Sequence, residues 1–481
     1  MEYLESVQAQ VGGAYDRLAP AYRRSLKRYR YYYARKAKIL RHVFPDPGDV
    51  LEIGCGLGQN LAALQPRYGL GIDCSEQLVG QARRLHPPDT HPNLEFRCMS
   101  ALDIHTLNRT FDTILIVNAV TEIPDLLALF KSIRTLCTPD TRLMLLVHNY
   151  LLGPAIRLGG LARLWPRFPQ QNWLTKFDLG NLADLAGFEK VREGYDVLVP
   201  VGPAVVSDHI NRYAPLVPGV KYLCGLYYTV LRPEMPRGVL DDVSVSVCVP
   251  CKDEEHNIAG LVERIPAMGR STEILFVDDR STDRTAQCIR EAITAHPDRN
   301  IRLIDGPGQG KGAACRAGFA GAKNDILVIL DADMAVMPED LPAFVGVLVS
   351  GKGEFVNGSR LVYSTEAGAM NFANIIGNKL FAMLFSFLLS QRLKDTLCGT
   401  KAIWRKDYPK ILEAHAHFGK VDRWGDYDWI FGAARHNLQI VELPVHYHPR
   451  TAGQTKMTRR FGNALIMLRM CGVALRKVKL I

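Results

Sequence analysis

Short apolar runs alternate along the chain with longer stretches that carry apolar residues at helical spacing. Two clear runs, 49–53 and 325–330, hold mainly Val, Ile and Leu and end abruptly at a glycine or an aspartate. Runs of this kind are typical of buried strands, and the helical stretches between them are the connections that parallel strands require. The pattern therefore predicts an α/β protein built on parallel sheets.

The alternation is interrupted once, at residues 231–242. This stretch, "LRPEMPRGVLDD", has two prolines, a glycine and charges of both signs, which is typical of a linker. Strand-like runs and helical patterns occur on both sides of it. We therefore predict a first domain over 1–230 and a second over 243–481, a division that suits a chain of 481 residues.

Composition indicates a globular protein whose positive charge is unevenly distributed. The chain is 47% hydrophobic and 22% charged, with a formal net charge of +10. Residues 21–42 hold nine Lys and Arg and no acid, and residues 446–481 hold eight and no acid. Such segments attract anionic lipid, nucleic acid or phosphorylated substrates. The tyrosines interleaved in 21–42 suggest RNA, and the alternative for this segment is a solvated helix that leads into the first domain.

Four further patterns bear on cellular location. The eleven cysteines lack paired metal-ligand spacings, which favours reduced thiols in a cytoplasmic protein. Glu2 and Glu5 precede any basic residue, so no signal peptide is expected. The apolar stretch 372–390 contains polar residues and predicts a buried or interfacial helix instead of a membrane span. Residues 459–481 predict a basic amphipathic helix, either on the anionic inner face of a membrane or packed on its own domain.

A glycine-rich turn follows the first clear strand. In "DVLEIGCGLGQN" the strand leads into Gly54, Gly56 and Gly58, which permit a tight turn and close approach of a ligand. Asp73 ends the next strand, where a carboxylate accepts hydrogen bonds from ribose hydroxyls. A dinucleotide fingerprint requires its third glycine at position 59, which is Gln59 here.

This G-x-G-x-G turn, with Glu52 before it, resembles motif I of class I S-adenosylmethionine-dependent methyltransferases, and the similarity covers about residues 45–150. The resemblance implies a Rossmann-like methyltransferase domain with Asp103 beside the adenine and Asn118 near the cofactor. The implied S-adenosylmethionine-binding residues are Glu52, Gly54, Gly56, Gly58, Asp73, Asp103 and Asn118. A Rossmann-like domain that binds no such cofactor is the alternative.

The methyl acceptor leaves little trace in a sequence, because methyl transfer is a displacement that depends mainly on alignment. His148, near the end of the fifth predicted strand, and Tyr150 and Trp173 after it are candidates for the border of the acceptor pocket. Core packing and loop anchoring are the alternative roles for these three side chains.

In the second domain, three strands end in polar residues. The first ends at Pro250, the second at Asp278 and Asp279, and the third at Asp331 and Asp333. Ligands bind at the carboxyl ends of strands in open α/β sheets. Carboxylates there suit the ribose and base of a nucleotide, and Mg²⁺ or Mn²⁺ binds carboxylates together with diphosphate oxygens. We predict that Asp331 and Asp333 bind such a metal ion.

These segments resemble family 2 glycosyltransferases of the GT-A fold, especially the dolichyl-phosphate mannose synthase-like branch. The matching motifs are "VPCKDEEHNI", "VDDRSTDRT", "GQGKGAACRAGFAGAKND", "DADM", "FVNGSRLV", "LKDTLCGTKAIWR" and the closing segment 425–457. The resemblance implies an inverting, metal-dependent transfer of a sugar from a UDP- or GDP-linked donor to a polyprenyl phosphate or a glycan. One departure is Arg280, which replaces the glycine of the usual "DGS".

Residue roles follow from the same resemblance. Arg360 would grip an acceptor phosphate, whereas Asp426 or Asp428 would be the base for a sugar hydroxyl, unless they are loop ion pairs. The implied catalytic residues are Asp333, Arg360, Asp426 and Asp428. The implied donor-binding residues are Pro250, Lys252, Glu254, Asp279, Lys311, Asp331, Arg450 and Lys456.

Together these patterns predict a bifunctional glycosyltransferase and methyltransferase in cell-surface glycan or glycolipid assembly, peripheral on the inner face of a membrane. One alternative is a glycosyltransferase with a non-catalytic methyltransferase-like scaffold. A weaker one is an RNA-binding methyltransferase that uses residues 21–42, but no nucleic-acid partner is expected.

Overall fold

We describe the protein from a computed structural model that covers residues 2–162, 173–363, 372–419, 425–448 and 460–480. The chain folds into two compact units, the first through Glu234 and the second over Met235–Lys479. This boundary lies within the predicted linker, although the last strand of the first unit extends to Pro233 and so includes the start of that segment. The predicted α/β class is confirmed in both units.

The first unit is a seven-stranded sheet with helices. Its strands are β1 (Asp49–Ile53), β2 (Tyr68–Asp73), β3 (Leu94–Cys98), β4 (Phe111–Val117), β5 (Cys137–His148), β6 (Phe188–Asp196) and β7 (Leu226–Pro233). Its helices are α1 (Glu2–Arg28), α2 (Arg30–Val43), α3 (Gln59–Leu64), α4 (Glu76–Leu85), α5 (Leu126–Thr135), α6 (Gly153–Leu161), α7 (Lys176–Leu185) and α8 (Ala204–Tyr213).

The strand order in this sheet is β3-β2-β1-β4-β5-β7-β6, and β7 alone runs antiparallel to its two neighbours. Side chains of β1 alternate between two hydrophobic clusters, with Val50 in one and Leu51 and Ile53 in the other. Both faces are therefore buried, which explains the nearly continuous apolar runs. The order reverses between β1 and β4, where open α/β sheets bind their ligands.

The second unit contains another seven-stranded sheet. Its strands are β8 (Ser244–Cys251), β9 (Ser271–Asp278), β10 (Asn300–Asp305), β11 (Ile326–Ile329), β12 (Phe355–Ser359), β13 (Lys401–Trp404) and β14 (Ile440–Pro444). Its helices are α9 (Ile258–Arg264), α10 (Thr285–Ala295), α11 (Lys311–Gly321), α12 (Leu341–Val349), α13 (Phe372–Leu389), α14 (Tyr408–Phe418), α15 (Asp426–Arg435) and α16 (Arg460–Ala474).

The strand order in the second sheet is β10-β9-β8-β11-β13-β12-β14. Strands β10, β9, β8 and β11 are parallel, while β13 runs antiparallel to both of its neighbours. Here the order reverses between β8 and β11. The strand that ends in the two acidic side chains, β11, therefore lies at the expected ligand-binding position.

The C-terminal segment forms α16 and continues as a wider π-helical turn over Leu475–Lys479. Its buried side chains recur at helical spacing and pack into the core of the second unit; they are Met467, Met470, Cys471, Ala474 and Val478. Arg469, Arg476 and Lys477 are exposed. The helix thus packs on its own domain through an apolar face, whereas its contact with a membrane remains a prediction.

Within the described ranges, no helix is both long enough and apolar enough to cross a membrane. The apolar stretch predicted at 372–390 is α13, which has a mixed environment. Phe385 and Leu388 are buried in the core, while Leu380 and Met383 are exposed by 58% and 62%.

Candidate active sites

The glycine turn of the first unit adopts the backbone conformation that its sequence predicts. Gly54, Gly56 and Gly58 have φ values of 75°, 54° and 75°, a region that favours glycine. A Cβ atom on Gly54 would lie 2.4 Å from the Cβ atom of Ala119. Close packing between the ends of β1 and β4 therefore requires glycine at position 54.

Asp73 organises this turn. Its Oδ2 atom accepts a 2.9 Å hydrogen bond from the Gly56 amide, and its Oδ1 atom accepts one of 2.9 Å from the Ser75 amide. Asp16 of α1 contacts the same loop, since it accepts a 2.6 Å bond from the Ser75 hydroxyl. The carboxylate is thus held at the end of β2 beside the glycine turn.

The remaining predicted cofactor residues occupy different environments. Glu52 is fully buried and accepts a 2.7 Å hydrogen bond from Asn60, and burial raises its pKa to about 7. Gly58 packs against the ring of Phe96. Asp103 is exposed on the 3-10 helix Ala101–Leu107, and it does not line the cavity described next. Asn118 does line that cavity, and its side-chain amide donates a 3.2 Å hydrogen bond to the Tyr32 hydroxyl.

A cavity of about 650 Å³ lies at this edge of the sheet. Its floor includes Gly54, Gly56, Asp73 and Asn118, and one wall is mainly apolar. The apolar wall is formed by Leu152, Ala155, Ile156, Val197, Leu198, Pro200 and Val201. Such a size and lining are typical of a small-molecule site.

Helices α1 and α2 line the cavity with tyrosines, a feature that the sequence analysis missed. The tyrosines are Tyr15 and Tyr22 of α1, Tyr29 between the two helices, and Tyr32 and Tyr33 of α2. The first three are spaced by seven residues, a signal for one buried helical face. The interpretation of 21–42 as a solvated or RNA-binding helix also fails to account for Arg35, which is buried and bonds Asp196 at 2.8 and 3.0 Å.

Among the three acceptor-pocket candidates, only His148 lines this cavity. Its ring stacks on Tyr32 at a centroid distance of 6.3 Å, and burial lowers its pKa to about 4. The imidazole is therefore neutral at physiological pH. Tyr150 is exposed, and Trp173 packs against Gly153 at the start of α6.

In the second unit, the loops after β8 and β9 are joined by hydrogen bonds. The Glu254 amide donates to the Thr285 hydroxyl at 2.8 Å, and the Thr282 amide donates to Asp253 at 2.7 Å. Pro250 and Lys252 border the first loop, Pro250 being half-buried and Lys252 exposed. The loops that carry the predicted donor-binding residues at the ends of β8 and β9 are therefore bonded to each other.

Asp279 has a role that its sequence position did not predict. Its carboxylate accepts hydrogen bonds of 2.6 and 2.8 Å from the amides of Gly308 and Gly310. Asp279 is buried and thereby holds the glycine-rich loop that leads into α11. The first residue of that helix is Lys311, so Asp279 fixes the approach of the lysine to the site.

Lys311 is the cation that faces the first aspartate of the D-x-D motif. Its Nζ atom lies 2.6 Å from Asp331 Oδ1 and 3.7 Å from Asp426 Oδ1. Burial alone would raise the pKa of Asp331, but the Lys311 ammonium outweighs it and the pKa is lowered. Asp426 also lies 3.3 Å from Lys401, so carboxylates and ammonium groups alternate across the end of the sheet.

Asp426 and Asp428 face different surroundings. The start of α15 approaches α11 through Gly425 and Gly312, where a Cβ atom on Gly312 would lie 2.8 Å from Gly425 Cα. This contact brings Asp426 to Lys311. Asp428 instead lies 2.5 Å from the Nδ1 atom of His415 in α14. The structure therefore places Asp426 beside Lys311, the partner of Asp331, whereas Asp428 pairs with His415.

Arg360 is held by a carboxylate of its own. Asp395 accepts from its Nε and Nη2 atoms at 2.7 and 2.8 Å, and also from the Asn378 amide at 2.8 Å. Burial would lower the pKa of Arg360, but Asp395 raises it above the usual value. The guanidinium is thus permanently charged and rigidly oriented. Arg450 and Lys456 lie outside the described residues.

The residues present suit a divalent metal only in part. No group of three His, Cys, Asp or Glu side chains with metal-binding geometry occurs in the described part of the chain. Asp331 and Asp333 are both half-buried, and Asp333 Oδ1 accepts a 3.1 Å bond from the Ala335 amide. Two carboxylates fit a Mg²⁺ or Mn²⁺ ion that draws its other ligands from a diphosphate and water.

Comparison with known proteins agrees with this division of sites. A family model described as a methyltransferase domain matches residues 25–193, and one described as glycosyl transferase family 2 matches residues 246–416. The chain carries a methyltransferase domain and a family 2 glycosyltransferase domain. The predicted family resemblances of both halves are thereby confirmed.

The glycosyltransferase domain is similar to several named proteins. An uncharacterized glycosyltransferase of Mycobacterium tuberculosis is 28% identical over 227 residues, which are 47% of this chain and 94% of that protein. The undecaprenyl-phosphate 4-deoxy-4-formamido-L-arabinose transferase of Pectobacterium carotovorum is 35% identical over 118 residues, which are 24% of this chain and 36% of the transferase. The chain thus spans about a third of that second relative.

A solved structure also aligns with the chain. It is glucosyl-3-phosphoglycerate synthase of Mycobacterium tuberculosis in complex with Mn²⁺, UDP and glucosyl-3-phosphoglycerate. The identity is 19% and the TM-score is 0.33, with 49% of this chain and 80% of that chain covered.

Proposed function

We propose that the protein is a bifunctional enzyme that transfers a sugar from a nucleotide-sugar donor and a methyl group from S-adenosylmethionine. The observation that carries the glycosyl-transfer half is the cluster of Lys311, Asp331, Asp333 and Asp426 at the reversal point of the second sheet. The observation that carries the methyl-transfer half is the cavity that joins the glycine turn, Asp73 and Asn118.

The donor would bind with its diphosphate beside the D-x-D motif. Asp333 and Asp331 would hold Mg²⁺ or Mn²⁺, which would stabilise the negative charge on the departing nucleoside diphosphate. Lys311 supplies a further positive charge at the same edge. Because Lys311 already neutralises Asp331, we assign the larger share of metal binding to Asp333.

We propose a polyprenyl phosphate as the acceptor, since the Pectobacterium relative is named for transfer to undecaprenyl phosphate. A phosphate is already ionised at neutral pH and attacks the anomeric carbon without a general base. Arg360 would bind this phosphate, and Asp395 would keep the guanidinium oriented toward it. A glycan acceptor would instead require a base, and Asp426 is then the candidate that the geometry favours.

For methyl transfer, the proposed cofactor contacts are the backbone of the glycine turn, Asp73 at the ribose, and Asn118 near the transferred group. The bound cofactor supplies the electrophilic methyl group. The protein aligns the acceptor with it and excludes water through the tyrosines of α1 and α2. We infer that both activities serve one pathway of cell-surface glycan or glycolipid assembly, a link that rests on their fusion alone.

We further propose that the second unit binds the surface of an anionic membrane, where a polyprenyl phosphate resides. Helix α13 exposes apolar side chains at Ile376, Leu380, Met383 and Phe387, and α16 exposes Leu465 and Leu468. Neither helix carries an acidic residue. Such surfaces suit interfacial binding to anionic lipid. The opposite face of α13 carries Asn378, which bonds Asp395 and so joins this surface to Arg360.

Sedimentation with phosphatidylglycerol vesicles tests the membrane proposal. Leu380→Glu should reduce the bound fraction at least several-fold, because a carboxylate would enter the apolar contact and repel the lipid. The matched control is Leu412→Glu on α14, where the side chain is 41% exposed. Equal binding of both variants and the unaltered protein would argue against this surface.

Thermal unfolding against a ligand panel tests the two activities together. The panel holds S-adenosylmethionine and UDP-, GDP- and dTDP-sugars with and without Mn²⁺. A ligand present at 100 times its Kd stabilises the folded state by about 2.7 kcal/mol. We expect one transition to shift with S-adenosylmethionine and another to shift with one nucleotide sugar in the presence of metal. A shift with nucleotide sugars but none with S-adenosylmethionine would instead support a glycosyltransferase with a non-catalytic methyltransferase-like scaffold.

A further inference from the structure

Lys36 is a buried cation in the wall of the methyltransferase cavity. The residue is 2% exposed and lines the cavity from α2. Its Nζ atom lies 5.6 and 5.1 Å from the ring centroids of Tyr32 and Tyr33. Within the described residues, the ammonium donates no hydrogen bond and forms no ion pair. Among the residues that the structure describes, its close contacts with other side chains are therefore cation–π contacts with these two rings.

This environment is unfavourable for a charge that lacks a partner. Burial lowers the pKa of Lys36 to about 8, and the Glu52 carboxylate opposes that effect from beyond ion-pair distance. At neutral pH the group is still mostly protonated. His148, whose ring stacks on Tyr32, is neutral and supplies no counter-charge. The positive charge at this wall is therefore not balanced by a direct contact in the described structure.

The position of Lys36 indicates where a counter-ion would lie. Lys36 interacts electrostatically with Glu52 of β1 and His148 of β5, and its aromatic neighbour Tyr32 bonds Asn118 at the end of β4. These strand ends surround the floor of the cavity. An anion that fills this floor would contact the ammonium and also complete the hydrogen bonds that Lys36 lacks.

Resting on the proposed methyltransferase function, we propose that Lys36 binds an oxyanion inside this cavity. Two ligands have that chemistry, namely the carboxylate of the cofactor's amino-acid part and an ionised oxygen on the methyl acceptor. In the second case the acceptor oxygen attacks the methyl carbon, the carbon–sulfur bond breaks, and a neutral ether or ester forms beside a neutral thioether. No proton is transferred, so this step requires no general base.

The apolar wall adds a constraint on the acceptor. Its side chains, among them Leu152, Ile156 and Val201, offer no polar group to a sugar ring. An acceptor that fills this wall therefore has an apolar body with an ionised oxygen near Lys36. In a pathway for glycolipids, the methyltransferase would then act on the lipid-like part and the glycosyltransferase would supply the sugar.

Calorimetric titration distinguishes the two sources. The first pair of probes is S-adenosylhomocysteine, which carries the carboxylate, and 5′-methylthioadenosine, which lacks the amino-acid part. The second pair is 4-butylbenzoate and its neutral amide, titrated into protein saturated with S-adenosylhomocysteine. The variants are Lys36→Met and Lys36→Arg, and the control is Lys38→Met, two residues along α2 and 42% exposed.

If the cofactor supplies the oxyanion, Lys36→Met should raise the Kd of S-adenosylhomocysteine at least 10-fold and change the Kd of 5′-methylthioadenosine less than 2-fold. If the acceptor is the source, only the preference for the benzoate over its amide should disappear. Lys36→Arg should restore part of either effect, and Lys38→Met should change neither.

Two results would overturn the inference. One is a Lys36→Met protein that binds all four probes as the unaltered protein does. The other is an equal loss of affinity for S-adenosylhomocysteine and 5′-methylthioadenosine, which would show that Lys36 acts through packing and not through an oxyanion. A failure of the unaltered protein to bind S-adenosylhomocysteine would instead contradict the proposed methyltransferase function itself.

Discussion

The two units place their candidate sites at the same position of similar sheets, yet the sites differ in polarity. In the first unit, tyrosines and aliphatic side chains enclose a cavity at the reversal between β1 and β4. In the second, Lys311, Asp331, Lys401 and Asp426 form an alternating series of charges at the reversal between β8 and β11. The fold thus sets the location of each site, and its side chains set the chemistry.

The difference matches what each proposed reaction does with charge. Methyl transfer to an anion neutralises a sulfonium, and a reaction that loses charge is favoured where water is excluded. Glycosyl transfer develops negative charge on a leaving diphosphate, and that charge requires preorganised cations. The apolar enclosure therefore suits a reaction that loses charge, and the array of ion pairs suits a reaction that develops charge.

The largest effect is expected at the charged site. Asp333→Asn should lower glycosyl transfer about 10³-fold, because it would remove a proposed ligand of the metal that would stabilise the leaving group. The measurement is the rate of nucleotide release from the donor that the ligand panel identifies. S-adenosylhomocysteine binding by the same chain is the internal control and should not change. Full glycosyl transfer by the variant would contradict the metal assignment.

A second prediction concerns the pH dependence of the first unit. Glu52 has a pKa of about 7 in the folded state, whereas a glutamate in an unfolded chain titrates near 4.3. Glu52 therefore stays protonated to a higher pH in the folded state than in the unfolded chain. Its contribution to the free energy of unfolding falls as pH rises from about 4.5 to 7. The loss should reach about 3 kcal/mol.

Glu52→Gln should remove that part of the slope, measured as the denaturant midpoint of the first transition at pH 5 and pH 7. The matched control is Glu95→Gln, since Arg97 lowers the pKa of Glu95 and the sign of its contribution is reversed. Identical pH slopes for Glu52→Gln and the unaltered protein would show that Glu52 does not retain a proton in the folded state.

Much of both sites was predictable from the sequence because strands end in recognisable residues. The glycine turn, Asp73, Asp331 and Asp333 all follow apolar runs, and the carboxyl ends of parallel strands meet at one edge. Sheet topology therefore brings such residues together without knowledge of side-chain packing.

Helix orientation and ion-pair choice were not predictable in the same way. Asp426 and Asp428 are two positions apart on α15, so they cannot face the same side of it. Which of them faces Lys311 depends on the contact between Gly425 and Gly312, which joins distant segments. The pairing of Arg360 with Asp395 and the position of α1 over the first site depend on similar long-range packing.

A third prediction separates two predicted cofactor residues. Asp73→Ala should raise the Kd of S-adenosylhomocysteine about 30-fold, because it removes a charged hydrogen-bond acceptor and leaves the Gly56 amide without this bond. Asp103→Ala should change the Kd less than 2-fold, since Asp103 is exposed and does not line the cavity. Calorimetric titration measures both. A large effect of Asp103→Ala would restore the adenine contact that the family resemblance implies.

The smallest effect is expected at Arg280, and it tests whether the charged site contains local strain. Arg280 has a φ of 59°, in the left-handed region that favours glycine, and the family resemblance implies a glycine at this position. Arg280→Gly should relieve this strain but also increase the entropy of the unfolded chain, so the net stabilisation should be only about 0.5 kcal/mol. The control is Asn437→Gly, whose φ of 55° is one that asparagine tolerates.

The Tm of the second transition measures both variants, and Asn437→Gly should lower it, because the buried Asn437 side chain is lost while its φ carries little strain to relieve. The Arg280 side chain packs against Gly308, in the loop that Asp279 holds beside Lys311. A destabilised Arg280→Gly protein would therefore mean that this contact contributes more than the strain removes. Arg280 would then help to orient the charged site. In the first unit, packed tyrosines line the enclosed site instead.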